Sequence, residues 1–158
     1  MARKTEAYVD TSALIALVDR SDTHHLLFRR LFADPPRLVT TALVIAEGHG
    51  WFLRRYDTTR GLQFLAMIET MAPLGVVSVG RREERAGVEI LRRFSDQRLT
   101  LTDAIGMHVM QERAVGVCWS TDFHLGLTGV PCQGHVPAVG STSIAASRPG
   151  FSEAAFAV

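Results

Sequence analysis

Apolar positions along the chain follow two patterns. Short apolar runs of four to six residues are closed by turn or cap residues, as in buried strands. Longer segments carry apolar residues at spacings of three and four, as in helices with one buried face. The first run ends at Tyr8 and Val9 and predicts a strand over about 6–10. "ALIALV", 13–18, predicts a helix over about 12–19, and Leu26, Leu27, Phe28, Leu31 and Phe32 a second over about 23–33. "DPP" at 34–36 ends that helix, because proline cannot continue one. "RLVT", 37–40, reads as a strand, 41–56 as a helix, and 59–72 as another with Leu62, Leu65, Ile68 and Met71 on one stripe and Phe64 to one side. "GVVSVG", 75–80, is a strand, followed by a charged helix over 81–95 with Val88, Leu91 and Phe94 at spacings of three. Thr102 is a suitable cap for a helix that runs to about 115 and stops at Gly116. "VCWST", 117–121, is a buried-type strand, and "PCQGHVPAVG" holds a last edge strand. Strands that alternate with helices predict an α/β fold with a mainly parallel sheet.

Composition adds bounds rather than chemistry. The 158 residues suffice for one domain with a core, and 47% hydrophobic with 21% charged residues is an ordinary globular balance. No run of 18 or more apolar residues is present, so no membrane association is expected. "MARKTEAYVD" does not read as a signal peptide. Cys118 and Cys132 make no CxxC pair and no disulfide framework, which fits a reducing, cytoplasmic setting. A net charge of +1 gives no global field for nucleic acid, although Lys4 is the only lysine and every other basic residue is Arg. The final "STSIAASRPGFSEAAFAV", 141–158, is small, polar and aperiodic, and is expected to be a mobile tail after a domain spanning 1–140.

Chemistry enters through the acids. Asp10 follows the first strand and Asp122 the strand 117–121, and ligand sites of open parallel sheets form at those carboxyl ends. Asp103 opens a helix. Glu47 lies two turns into the apolar "TALVIAEGHGW", where a charge is costly without a partner. Each acid has an ordinary explanation taken alone: Asp10 and Asp122 as caps, Asp103 as a charge at a helix N-terminus, Glu47 as the partner of Arg54 or another Arg. A single cause covers all four, a hard divalent cation held by oxygen ligands, Mg²⁺ or Mn²⁺ rather than zinc. The histidines show no zinc spacing, and His124, two residues after Asp122, is the one best placed to face a substrate. Trp51 and Trp119 sit in apolar contexts and read as core. No GxxxxGK is present, so P-loop chemistry is excluded.

"VDTSALIALVDRSD", "TTALVIAEG", "LTLTDAIGMHVM" and "WSTDFHL" resemble, in order and spacing, the four acidic blocks of PIN-domain nucleases, and within them the VapC toxins of bacterial toxin–antitoxin pairs. The likeness runs from about residue 6 to about 139. It implies a PIN-like three-layer fold, with a central sheet between helices, and a ribonuclease that leaves a 5′-phosphate and a 3′-hydroxyl. It places the family's acids on Asp10, Glu47, Asp103 and Asp122, as ligands of one or two ions that activate water. Thr11, Ser12 and Thr121 would support them. Gly48, Gly50 and His108 depart from the pattern, the glycines permitting either a close helix contact or an irregular helix. Surplus apolar residues on helices 23–33 and 59–72 suggest a homodimer and a groove for a small antitoxin. Two rival readings are a phosphoacceptor receiver domain, which needs a lysine at the end of its last strand, and a catalytically weak PIN-like module that binds RNA or protein.

Overall fold

In a computed structural model, residues 6–134 are described; the end of the expected domain and the tail 141–158 lie outside them. Five strands and six helices follow one another as β1 (Glu6–Val9), α1 (Thr11–Val18), α2 (His25–Leu31), β2 (Arg37–Thr41), α3 (Ala42–Arg55), α4 (Thr58–Thr70), β3 (Leu74–Val77), α5 (Arg81–Arg93), α6 (Leu101–Glu112), β4 (Val117–Trp119) and β5 (Cys132–Gln133). A short 3₁₀ turn, Phe123–Gly126, lies between the last two strands. All four strand pairings are parallel, in the order β3-β2-β1-β4-β5. The expected α/β fold with its parallel sheet is therefore the observed one.

That order decides where chemistry can sit. From β1 the chain builds outward through β2 to β3, then crosses back to add β4 and β5 on the other side. In open parallel sheets ligands bind at such a reversal, outside the carboxyl ends of the two strands. Both ends carry an acid: Asp10 directly after β1 and Asp122 three residues after β4.

The central strands explain why the sheet is anchored there. Ala7, Tyr8 and Val9 of β1 are buried on both faces, as are Leu38 and Val39 of β2 and Cys118 and Trp119 of β4. A parallel strand flanked by two others reads as a continuous apolar run for that reason. At the edge, β3 is largely exposed and shorter than the expected 75–80.

Helix α4 differs from its predicted stripe. Gly61, Phe64 and Ile68 face the core, Phe64 is 1% exposed, and Leu62 is 58% exposed. The cause lies on α3. A Cβ at Gly48 would stand 2.6 Å from the Phe64 ring, so the glycine opens the space that the ring fills. Of the two alternatives for Gly48, the close helix contact is realised, and α3 stays helical from 42 to 55. Phe52 stacks on Phe64 at 5.1 Å and completes the joint. On α2, Phe28 is buried while Leu26 is 67% exposed. Among the described residues no helix is long and apolar enough to cross a membrane.

Candidate active site

Asp10 caps α1, as its position between strand and helix predicts. Its extended backbone ends β1, and its Oδ2 accepts from the Ser12 backbone N–H at 3.3 Å. Capping does not exhaust it. The same oxygen accepts from the Ser12 hydroxyl at 2.7 Å and the Ser120 hydroxyl at 2.9 Å. Asp10 is only 6% exposed, and burial raises its proton affinity despite these donors. A buried carboxylate held by neutral donors alone is an expensive choice for a cap.

Ser120 ties Asp10 to the next acid. Its hydroxyl also accepts from the Asp122 backbone N–H at 2.9 Å, while the Thr121 N–H donates to Ser12 Oγ at 3.0 Å. Thus Ser12 and Ser120, 3.2 Å apart, stitch the end of β1 to the end of β4. Asp122 caps the 3₁₀ turn: its Oδ1 accepts from the His124 N–H at 2.9 Å and lies 2.6 Å from His124 Nδ1. His124 is buried.

The other two acids come from helices. Glu47, half-buried on α3, accepts from the Thr11 hydroxyl at 2.5 Å. Burial, then the charges of Asp10 and Asp103, raise its pKa; the Thr11 bond and Arg54 oppose them. Asp103 stands in the first turn of α6. The cap of that helix is Thr100 and not the expected Thr102: Thr100 Oγ1 accepts from the Asp103 N–H at 3.1 Å, and Asp103 Oδ2 accepts from the Thr100 N–H at 2.8 Å and hydroxyl at 2.7 Å. This reciprocal pair is a capping box, which sets the helix start two residues earlier. Burial pushes Asp103 up to about 6; the Thr100 bonds pull it down, and repulsion from Asp10 and Asp122 adds to the rise.

Four carboxylates from four elements therefore share one electrostatic neighbourhood. Among the described residues, no three His, Cys, Asp or Glu side chains are drawn together as a preformed metal-binding group. Each acid is instead turned to a hydroxyl or backbone donor of its own. The donor set nevertheless suits a hard divalent cation: oxygen ligands, adjacent like charges, and raised proton affinity on three of the four. Ser120 and Thr100 are the supporting residues the sequence reading missed. The signals were present, since Ser120 precedes Asp122 by two in "WSTD" and Thr100 precedes Asp103 by the three of a capping box.

The PIN domain family model matches residues 7–125, and the chain belongs to that family. Solved structures share its fold. VapC20 of Mycobacterium tuberculosis, a sarcin-ricin loop cleaving toxin, superposes with a TM-score of 0.72 at 24% identity over 78% of this chain and 95% of its own. A VapBC2 structure from Rickettsia felis, bound to a DNA fragment from its promoter, gives 0.59 at 8% identity over 81% and 97%. A toxin–antitoxin complex from Klebsiella pneumoniae gives 0.55 at 18% identity over 79% and 92%. Comparison with curated proteins finds no match.

Proposed function

We propose that this chain is a Mg²⁺- or Mn²⁺-dependent endoribonuclease, the VapC-type toxin of a toxin–antitoxin pair, acting in the cytoplasm. It would hydrolyse RNA phosphodiester bonds to leave a 5′-phosphate and a 3′-hydroxyl. The observation that carries the reading is that burial, and after it the neighbouring acids, raise Glu47 (Asp10 and Asp103) and Asp103 (Asp10 and Asp122) beside the carboxyl ends of β1 and β4. Membership of the PIN family and the likeness in fold to toxins support it.

In this mechanism the protein supplies a fixed anionic cradle. Asp10, braced by Ser12 and Ser120, would be the central ligand for one or two cations. Asp122 stands beside it on the β4 side, and Glu47 and Asp103 complete the cradle from α3 and α6. When bound, a divalent cation supplies charge neutralisation at the phosphate and eases loss of a proton from water. Glu47 and Asp103 must leave Thr11 and Thr100, at least in part, to join it. Asp103, which burial pushes up to about 6 in the metal-free chain, would serve a second cation or orient the attacking water.

For partners, exposed Leu53, Tyr56 and Leu62 along α3 and α4 support a protein-binding face for an antitoxin or a second copy of the chain. A second reading, a catalytically weak module that binds RNA or protein, is favoured by the absence of a gathered metal group among the described residues. End-labelled RNA incubated with Mg²⁺ and with EDTA separates the two. Cleavage with Mg²⁺, none with EDTA, and 5′-phosphate ends are expected; RNA bound but uncut at every Mg²⁺ or Mn²⁺ concentration would leave the second reading standing.

A further inference from the structure

Cys118 and Cys132 lie far apart in sequence and face each other in space. Cys118 is central in β4 and Cys132 opens β5, and their Cα atoms are direct partners in the parallel ladder. Neighbouring strands run about 4.8 Å apart, and partners in register project from the same face of the sheet. That separation falls inside the range of about 4.4–6.8 Å that a disulfide spans between Cα atoms. Both thiols are free, and that of Cys132 donates to the Val130 carbonyl at 3.9 Å.

The two are unequal. Cys118 is fully buried; Cys132 is partly exposed and lines an open cavity of about 380 Å³ with Phe123, Leu127, Val130 and Pro131. The nearness of the two thiols, chiefly, and burial after it push Cys118 up; the same nearness holds Cys132 down against burial and the charges of Asp10 and Asp122. A partly exposed sulfur in register with a buried one is the arrangement in which an attacking and a resolving cysteine can meet.

We propose that Cys118 and Cys132 are a redox-modification site, which peroxide converts to an intramolecular disulfide between β4 and β5. The Cys132 sulfur attacks one oxygen of hydrogen peroxide. The O–O bond breaks, the leaving hydroxide takes up the thiol proton as water, and Cys132 becomes a sulfenic acid. The Cys118 sulfur then attacks that sulfur. The S–S bond forms, the S–O bond breaks, and the hydroxyl leaves as a second water with the Cys118 proton. In sum, two thiols lose two electrons and two protons, and one peroxide is reduced to two waters. A dithiol such as dithiothreitol reverses the step.

The closed loop has a place in the molecule. Residues 118–132 include Ser120, Asp122 and the 3₁₀ turn, so the bond would clamp the β4 side of the acid cradle and fasten a two-residue edge strand. The chemistry of the pair does not rest on the ribonuclease reading.

Peptide mapping of the full chain tests it. No Lys or Arg falls between 113 and 148, so trypsin leaves both cysteines in one peptide. After mild peroxide treatment, iodoacetamide labelling is expected to fall from two cysteines to none. The peptide should be lighter by two hydrogens, and dithiothreitol should restore both labels. In Cys118→Ser, Cys132 should stop at a sulfenic acid that dimedone traps. Two labels after peroxide, oxygen added to Cys132 with Cys118 still labelled, or a chain-to-chain disulfide on a non-reducing gel would each overturn the proposal. The wild-type map decides it even if the variant does not fold.

Discussion

The cradle has two halves built in different ways. On the strand side, Asp10 and Asp122 are joined through Ser12 and Ser120, and the bonds run across two neighbouring strands. On the helix side, Glu47 and Asp103 are each held by one threonine, Thr11 and Thr100. The strand half is a buried network in which every loss propagates. The helix half is two separate tethers near solvent. The difference teaches how like charges are held close together: one half is fixed by the sheet, and the other rests on single threonines.

The largest effect is expected at the centre of the fixed half. Asp10→Asn should leave the fold intact by circular dichroism and lower Mg²⁺-dependent RNA cleavage at least about a hundredfold, as removal of a central ligand costs several kcal/mol at the transition state. Cleavage within tenfold of wild type would move the centre elsewhere.

Next comes the stitch itself. Ser120 is fully buried, and Ser120→Ala would strip a donor from Asp10 and leave the Asp122 N–H without its acceptor. Urea unfolding in EDTA should show a loss of about 2 kcal/mol. A change below about 0.5 kcal/mol would mean that the two strands need no such bridge.

Acid should act on Asp103 in the helix half. Asp103 has a folded pKa of about 6 against an ordinary 3.8, so the native state binds the extra proton. Its penalty is absent below the unfolded value, grows as pH rises between the two, and is complete above about 6. In EDTA, lowering the pH from 7 to 5 should therefore stabilise wild type relative to Asp103→Asn by about 1 kcal/mol. Taking the difference between the two proteins cancels the histidines. Parallel pH profiles would show that burial does not raise Asp103.

The smallest effect belongs to a single tether. Thr11→Val removes the one hydroxyl on Glu47, and water can replace it at a half-buried carboxylate. The expected stability loss is below about 1 kcal/mol, clearly less than for Ser120→Ala. An equal or larger loss would erase the contrast between the halves.

The same contrast marks what could be read from the chain. Acids at strand ends are legible, because a buried strand closes on a residue whose position is fixed by the sheet: Asp10 after "AYV" is such a case. Glu47 was legible as a charge on an apolar helix. Two of the three features that escaped depend on partners distant in sequence, and the third is a local pair at α6. Ser120 becomes a ligand of Asp10 only once β4 pairs with β1. On α4, stripes through Leu62 and through Phe64 fit the helical period about equally well, and the choice is made by Gly48 on another helix. At α6, two threonines competed for the cap, and Thr100 prevails because Asp103 reaches back to its N–H.

The central claim is that the four acids form one cation site. Thermal melting of wild type and Asp10→Asn, each with EDTA and with Mg²⁺ at a hundredfold excess over its Kd, tests it most directly. Linkage gives wild type about 2.7 kcal/mol from the ion, a rise in Tm of about 5–10 °C for a domain of this size. Asp10→Asn should melt higher than wild type in EDTA, having lost one repelling charge, and should gain little from Mg²⁺. A wild type that Mg²⁺ does not shift, with Asp10→Asn melting at or below it in EDTA, would contradict the shared site and leave Asp10 an ordinary helix cap.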